Sequence, residues 1–291
     1  MRTLVLSIIA IAAFGYAGIV ALVGLFQDRL LFFSSTTLDS TPAGAGLEYE
    51  DIWLDTDEDA RIHGWYVRAA IPSSRTVLFL HGNAGNISHR IYTVSLWHQL
   101  GFNCFLIDYR GYGRSTGKPS EIGLRTDALA AWRYLLERRN IPATQIVVHG
   151  RSLGAAVALS ITAPAQTQTA PEQLAKPGAV ILESTFTSLP DIGARAYPWL
   201  PIRWLSRFSF PSQQRIANLD APVLVAHSLA DELIPFAHGQ TLYNAARAPK
   251  QFFTMRGGHA SGYVDTGRDY QRTLADFVKL HISDQADTAS H

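Results

Sequence analysis

Hydrophobic and polar positions divide this chain into two unlike parts. From Leu4 to Phe26 there is no charged side chain. That run of about 23 residues is long enough to cross a hydrocarbon core as a helix. From about residue 47 onward, short apolar runs alternate with amphipathic stretches. Glu48 to Leu54 and Ile62 to Val67 read as two strands joined by an acidic turn at 55–59. Thr76 to Leu80, Phe102 to Ile107, Gln145 to His149, Ala179 to Leu182, Pro222 to Ala226 and Gln251 to Met255 read as buried strands. Between them, Ser88 to Leu100, Ser120 to Arg138, Ala155 to Ala163, Phe236 to Ala246 and Asp269 to Leu280 read as helices. In the Ser120 helix, Leu124, Ala128, Ala131, Trp132 and Leu135 recur at the 3–4 spacing of a buried face, and Ser120 is placed to cap it. Two early strands followed by repeated strand–helix units predict an α/β domain with a mostly parallel eight-stranded sheet and helices on both faces.

The boundaries follow from the same pattern. Residues 1–28 are expected to be an N-terminal transmembrane anchor and 29–46 a linker, rich in Ser, Thr, Pro and Gly from residue 34. Residues 47–283 form the folded domain, with a short helical cap at about 184–218. Residues 284–291 are a polar tail, expected to be disordered. A cleaved signal peptide would have a shorter apolar region followed by a small-x-small site. This run ends at Phe26-Gln27-Asp28-Arg29, so it reads as an uncleaved anchor. Arg2 and the terminal amine precede it, while Asp28 and Arg29 cancel after it. That charge bias orients the chain with the domain on the non-cytoplasmic side.

Composition narrows the chemistry. The 291 residues are 47% hydrophobic, ample for one large α/β domain. With 25 basic and 24 acidic residues, nothing calls for a nucleic-acid partner. The single cysteine, Cys104, excludes an internal disulfide framework and a cysteine zinc site, and its apolar run makes it a buried thiol. Histidines and carboxylates show no metal-ligand spacing, so no metal site is expected. The composition leaves the oligomeric state open.

Ligands of open parallel sheets bind beyond the carboxyl ends of the strands, so the residues after each strand carry the argument. After Gln145–His149 comes Gly150-Arg151-Ser152-Leu153-Gly154, leading into an alanine-rich helix. A strand-to-helix turn of this form lifts one hydroxyl above the sheet edge, making Ser152 a candidate nucleophile rather than a helix N-cap serine. After Leu80 comes His81-Gly82-Asn83-Ala84-Gly85-Asn86. Without the Gly-Lys-Ser/Thr ending of a phosphate loop, it is read as an oxyanion loop, the amides of Asn83 and Leu153 being the donors. His81 is expected to anchor this loop. The Asn86-x-Ser88 sequon falls inside it and is discounted as a glycan site.

After Ala226 comes His227-Ser228-Leu229-Ala230-Asp231-Glu232. A catalytic imidazole needs a carboxylate to hold its tautomer, and Asp231 is chosen, with Glu232, Asp108 and Glu183 as competitors also near strand ends. After Met255 comes Arg256-Gly257-Gly258-His259. Among ten histidines, His259 follows the last strand and completes the order Ser, Asp, His. His149, on a strand, reads as core.

Together these motifs make the chain resemble the α/β-hydrolase superfamily, and more narrowly its anchored bud-emergence-type branch, grouped with serine aminopeptidase-like hydrolases. The matching residues are His81 to Asn86, Asp108-Tyr109-Arg110-Gly111-Tyr112-Gly113, Gly150 to Gly154, Glu183-Ser184 with Phe186-Thr187-Ser188, Asp231-Glu232 and Gly257-Gly258-His259. The resemblance implies the α/β-hydrolase fold, a triad of Ser152, Asp231 and His259, and no cofactor. It implies an acyl, lipid-like or peptide substrate without choosing among them. Relatives commonly show His-Gly where this chain has His227-Ser228, which bears on the turn presenting Asp231. The expected function is a serine hydrolase cleaving an acyl ester, thioester or amide, with esterase or lipid hydrolase favoured. An aminopeptidase-like enzyme and a non-catalytic module on the same fold are the alternatives. In the cap, the aromatic stretch Tyr197 to Leu205 reads either as an acyl pocket or bilayer contact, or as a packed helical lid.

Overall fold

A computed structural model describes residues 1–56, 60–163 and 175–282. The acidic turn at 55–59 lies partly outside the described residues, and the tail at 284–291 wholly so. Eight strands form one sheet: β1 (Tyr49–Asp55), β2 (Arg61–Val67), β3 (Thr76–Leu80), β4 (Asn103–Ile107), β5 (Ile146–Arg151), β6 (Ala179–Glu183), β7 (Val223–Ser228) and β8 (Lys250–Met255). Their spatial order is β1-β2-β4-β3-β5-β6-β7-β8. β2 pairs antiparallel with β1 and β4, and every other neighbouring pair is parallel. The two strands before the first helical crossover form the antiparallel edge, because a short turn can only reverse the chain.

Alternation along the central strands divides the core between two faces. Leu78, Leu80, Phe105, Ile107, Ile146 and Val148 point to one face and meet the Glu121–Arg133 and Leu153–Thr162 helices. Val77, Phe79, Cys104, Leu106 and Val147 point to the other and meet the Ile91–Gln99 and Arg268–His281 helices. Strands buried on both faces are continuously apolar, as the sequence showed. Ser120 caps its helix by accepting from the Gly123 amide at 3.0 Å. That helix is α-helical to Arg133 and continues as a wider turn over Tyr134–Arg138. The Ser88–Leu100 segment is a 3-10 turn (Ile87–Arg90) followed by an α-helix (Ile91–Gln99). Cys104 is fully buried, and desolvation pushes its thiol pKa well up.

The chain between β6 and β7 is a cap of three short helices, Leu189–Ala196, Ile202–Leu205 and Ser212–Ile216. Its return is clamped to the start of the Glu121–Arg133 helix by Glu121, whose carboxylate accepts from the Ser209 and Phe210 amides at 2.7 Å each.

The N-terminal helix, Arg2–Leu25, has no buried residue and is long and apolar enough to cross a membrane, a property that anchors share with signal sequences. The stretch expected to be a linker is hydrogen-bonded to the His81–Asn86 loop. The Asn83 side chain donates to the Leu31 carbonyl. The Gly85 amide donates to the Phe33 carbonyl at 3.0 Å, and the Ser35 amide to the Gly85 carbonyl at 3.2 Å. Asn86 Nδ2 reaches the carbonyls of Ser35 (3.0 Å) and Thr37 (2.6 Å). Its small polar residues suggested a spacer. They serve here as a strap, whose backbone satisfies a loop that has no partner in the sheet.

Candidate active site

Ser152 stands at the junction of β5 and the Leu153–Thr162 helix, with φ 54° and ψ −121°. A non-glycine residue with this backbone is strained, and the surroundings hold it there. The close helix–strand approach depends on two glycines. A Cβ on Gly150 would lie 2.4 Å from the Gly154 carbonyl oxygen, and one on Gly154 would lie 2.0 Å from the Leu80 carbonyl oxygen. The Ser152 amide is held by the Glu183 carbonyl at 2.8 Å, and its carbonyl accepts from the Thr185 hydroxyl at 2.9 Å.

His259 Nε2 lies 3.1 Å from Ser152 Oγ, and its Nδ1 lies 2.9 Å from Asp231 Oδ2. Asp231 Oδ1 accepts from the amides of Leu233 (3.0 Å) and Ile234 (2.7 Å). Burial pushes the Asp231 pKa upward, but hydrogen bonds from His227, His259 and the Ile234 amide outweigh it and hold the carboxyl well below its usual range. An ionised Asp231 can only accept, so His259 carries its proton on Nδ1 and turns the Nε2 lone pair to the serine hydroxyl. The chemical capacity of this arrangement is to draw a proton from a hydroxyl.

The other acids near strand ends are occupied elsewhere. Glu183 accepts from Arg151 Nε (2.8 Å) and the Tyr270 hydroxyl (2.8 Å), and lies 3.1 Å from His149 Nε2. Desolvation opposes its ionisation, yet Arg151, His149 and Tyr270 bring its pKa down to about 2. Arg151 also stacks over Tyr263, 3.7 Å from the ring centroid. Asp108 accepts from the Ile87 amide at 2.9 Å and sits 3.7 Å from His81, and burial raises its pKa to about 7. Glu232 accepts from the His259 amide at 2.9 Å and so holds the histidine loop rather than the histidine ring.

The expected oxyanion loop packs directly on Ser152. A Cβ on Gly82 would lie 3.3 Å from Ser152 Cβ. Next to it, the side chain of Asn83 is fixed between the Leu31 carbonyl and the Tyr112 hydroxyl, which donates to its Oδ1 at 3.1 Å. His81 anchors the loop through its own neighbour, Nδ1 lying 2.7 Å from the Gly82 carbonyl. The Asn86-x-Ser88 sequon opens a capping box: Asn86 Oδ1 accepts from the Ser88 amide and hydroxyl, and the Asn86 amide donates to His89 Nδ1 at 3.2 Å.

Several positioning residues were not legible in the sequence. Ser228, noted there only as a departure from His-Gly, binds the two site loops together. Its hydroxyl donates to the Gly257 carbonyl and accepts from the Ala230 amide at 3.1 Å. The polar residue after His227 was the signal. Nothing in one dimension marked the Leu31–Ser35 strap or the Tyr270–Glu183 bond.

Comparison with known proteins adds the following. A model of the alpha/beta hydrolase family matches residues 77–289. An uncharacterized protein of Mycobacterium tuberculosis is 36% identical over 98% of this chain and 97% of its own. Protein bem46 of Schizosaccharomyces pombe is 35% identical over 82% of this chain and 79% of its own. Among solved structures, an esterase of Pyrococcus furiosus superposes with a TM-score of 0.71, covering 86% of this chain and all of that one. At 19% identity that likeness speaks for the fold alone.

Proposed function

Because the chain belongs to the alpha/beta hydrolase family, in its bud-emergence-type branch, we propose that it is a serine hydrolase acting on acyl esters. Hydrolase function comes with the family; mechanism and substrate are the proposal. The observation that carries it is the continuous path from Asp231 Oδ2 through His259 to Ser152 Oγ, at 2.9 and 3.1 Å. Ser152 Oγ attacks the acyl carbonyl while His259 Nε2 takes its proton. Asp231 holds the ring and stabilises the imidazolium. The amides of Asn83 and Leu153 receive the charge that develops on the carbonyl oxygen. His259 then returns the proton to the leaving alkoxide. Water repeats the sequence on the acyl-serine, releasing acid and free enzyme. Neither metal nor cofactor takes part.

The ester reading is preferred to the aminopeptidase one for a specific reason. An enzyme for free N-termini needs an acidic group to bind the amine. Glu183 and Glu232, the two candidates left open by the sequence, are committed to Arg151 and to the His259 amide. In this reading the N-terminal helix is an uncleaved anchor, with the domain on the non-cytoplasmic side.

A fluorophosphonate probe tests the nucleophile. Wild-type protein should label stoichiometrically and Ser152→Ala should not, with ester turnover lower by about 10³-fold or more. Equal labelling of the two would falsify the assignment.

A further inference from the structure

The N-terminal helix meets the cap well before its own end. The Tyr16 hydroxyl donates to the Trp199 carbonyl at 2.8 Å. Leu205 Cδ1 covers Gly24 so closely that a Cβ there would lie 3.1 Å away. Just past the helix, Gln27 donates to the Leu205 carbonyl (2.7 Å) and accepts from the Arg207 amide (2.8 Å). Asp28 faces Arg207 at 3.6 Å. Residues 199–207 therefore run beside residues 16–28.

Helix rise turns this contact into a statement about depth. Tyr16 to Leu25 is about 14 Å of helix. If the cap segment stood in water, that length would stand in water beside it, leaving residues 2–15 to span the membrane. They supply about 21 Å against a hydrocarbon core of about 30 Å, and tilt only widens the shortfall. A helix that spans and also keeps these contacts takes the cap into the membrane with it.

We propose that the cap segment Tyr197–Leu205 is seated in the same lipid leaflet as the outer half of the anchor. The segment has the chemistry this requires. Trp204 is 93% exposed, Trp199 55% and Tyr197 53%, the residue types that collect at a membrane interface. Its backbone is largely self-satisfied, as lipid demands. The Leu200 amide donates to Tyr197, Ile202 to Leu200, Trp204 and Leu205 to Pro201, and the Trp199 carbonyl is taken by Tyr16. Arg203, paired with Asp191 at 2.9 Å, and Arg207 have long stems that let their charges reach headgroups.

This placement names a substrate class for the serine hydrolase reading, on which it rests. The cap starts at Ser184-Thr185, and Thr185 bonds the Ser152 carbonyl. The strap that leaves the anchor lines the oxyanion loop. A site framed on two sides by segments that lead directly into membrane-seated elements takes the acyl ester of a lipid dissolved in that leaflet. The acyl C–O bond breaks, the alcohol leaves with the proton from His259, and water supplies the second oxygen of the released acid.

The test uses full-length protein in phosphatidylcholine vesicles, with and without bromine-labelled acyl chains that quench tryptophan emission on contact. Of six tryptophans, Trp65, Trp97 and Trp132 are buried in the domain and Trp53 lies on the β1 edge. Bromolipid quenching should fall at least twofold in Trp199→Phe/Trp204→Phe. Equal quenching in protein that resists carbonate extraction overturns the seating, and so does wild-type protein that carbonate extracts. For the substrate, Trp204→Glu should lower the ratio of turnover on a vesicle-borne long-chain monoacylglycerol to turnover on p-nitrophenyl butyrate at least tenfold. An unchanged ratio overturns the lipid assignment. Unlabelled Ser152 in the fluorophosphonate assay would defeat the hydrolase mechanism while the quenching result stood.

Discussion

Two of the histidine–carboxylate pairs at the carboxyl ends of the sheet differ in what the free side of the imidazole meets: an indole in one, the Ser152 hydroxyl in the other. His149 and Glu183 lie on adjacent strands, wholly buried, 3.1 Å apart. Trp97 donates to His149 Nδ1 at 3.2 Å, so the proton sits on Nε2 and points to Glu183. Tyr270 and Arg151 occupy the rest of that carboxylate. His259 and Asp231 sit on loops past β7 and β8, and there Nδ1 meets the acid. Its Nε2 is turned to Ser152. The same two functional groups close a buried cluster where every ring nitrogen is tied down inside the protein, and elsewhere leave one lone pair aimed at the Ser152 hydroxyl, the geometry on which the proposed chemistry rests.

Breaking each pair should give opposite phenotypes. The largest effect is expected for Asp231→Asn: ester turnover lower by on the order of 10³–10⁴-fold, from loss of the charge and tautomer control, with the denaturation midpoint little changed. Turnover within tenfold of wild type would assign the orienting role to another acid. Glu183→Gln should do the reverse. It leaves the Arg151 guanidinium buried beside a neutral partner, costing about 3 kcal/mol or more of stability in denaturant unfolding. A loss of stability below about 1 kcal/mol would mean that the cluster contributes little.

The smallest effect sharpens the contrast through pH. Desolvation holds the His149 pKa below its usual value despite the Glu183 hydrogen bond. As pH falls below about 6.5, the unfolded chain takes up a proton at this residue and the folded chain does not, so stability drops through that window. His149→Gln removes one such proton. The slope of stability against pH just below about 6.5 should become shallower, by at most about 1.4 kcal/mol per pH unit. An unchanged slope would show that His149 is charged in the folded state.

Legibility in the sequence followed the range of the interaction. The strands and main helices were readable because continuous apolar runs and 3–4 spacing are local consequences of burial. The Ser152 turn was readable because its glycines are needed where helix and strand backbones nearly touch. Ranking Asp231 above Asp108, Glu183 and Glu232 used only position after a strand, and all four satisfy that loosely. Coordinates separate them: one meets the His259 ring, one its amide, one an arginine and one a loop amide. The strap shows the opposite limit. Its small polar residues suit a spacer or a backbone-bonded edge equally, since the atoms that bond are the same in every residue.

By itself, the sequence determined the strand order along the chain, the apolar N-terminal helix and the glycine-framed serine, all properties of neighbouring residues. Tertiary structure alone decided which nitrogen of which histidine faces that serine, which acid serves a fold and which a ring, and that Tyr16 of the N-terminal helix touches Trp199 of the cap. Those are distances between residues as many as 183 apart in the chain. Hydrogen bonds act over about 3 Å, and only the folded backbone brings such residues within that reach.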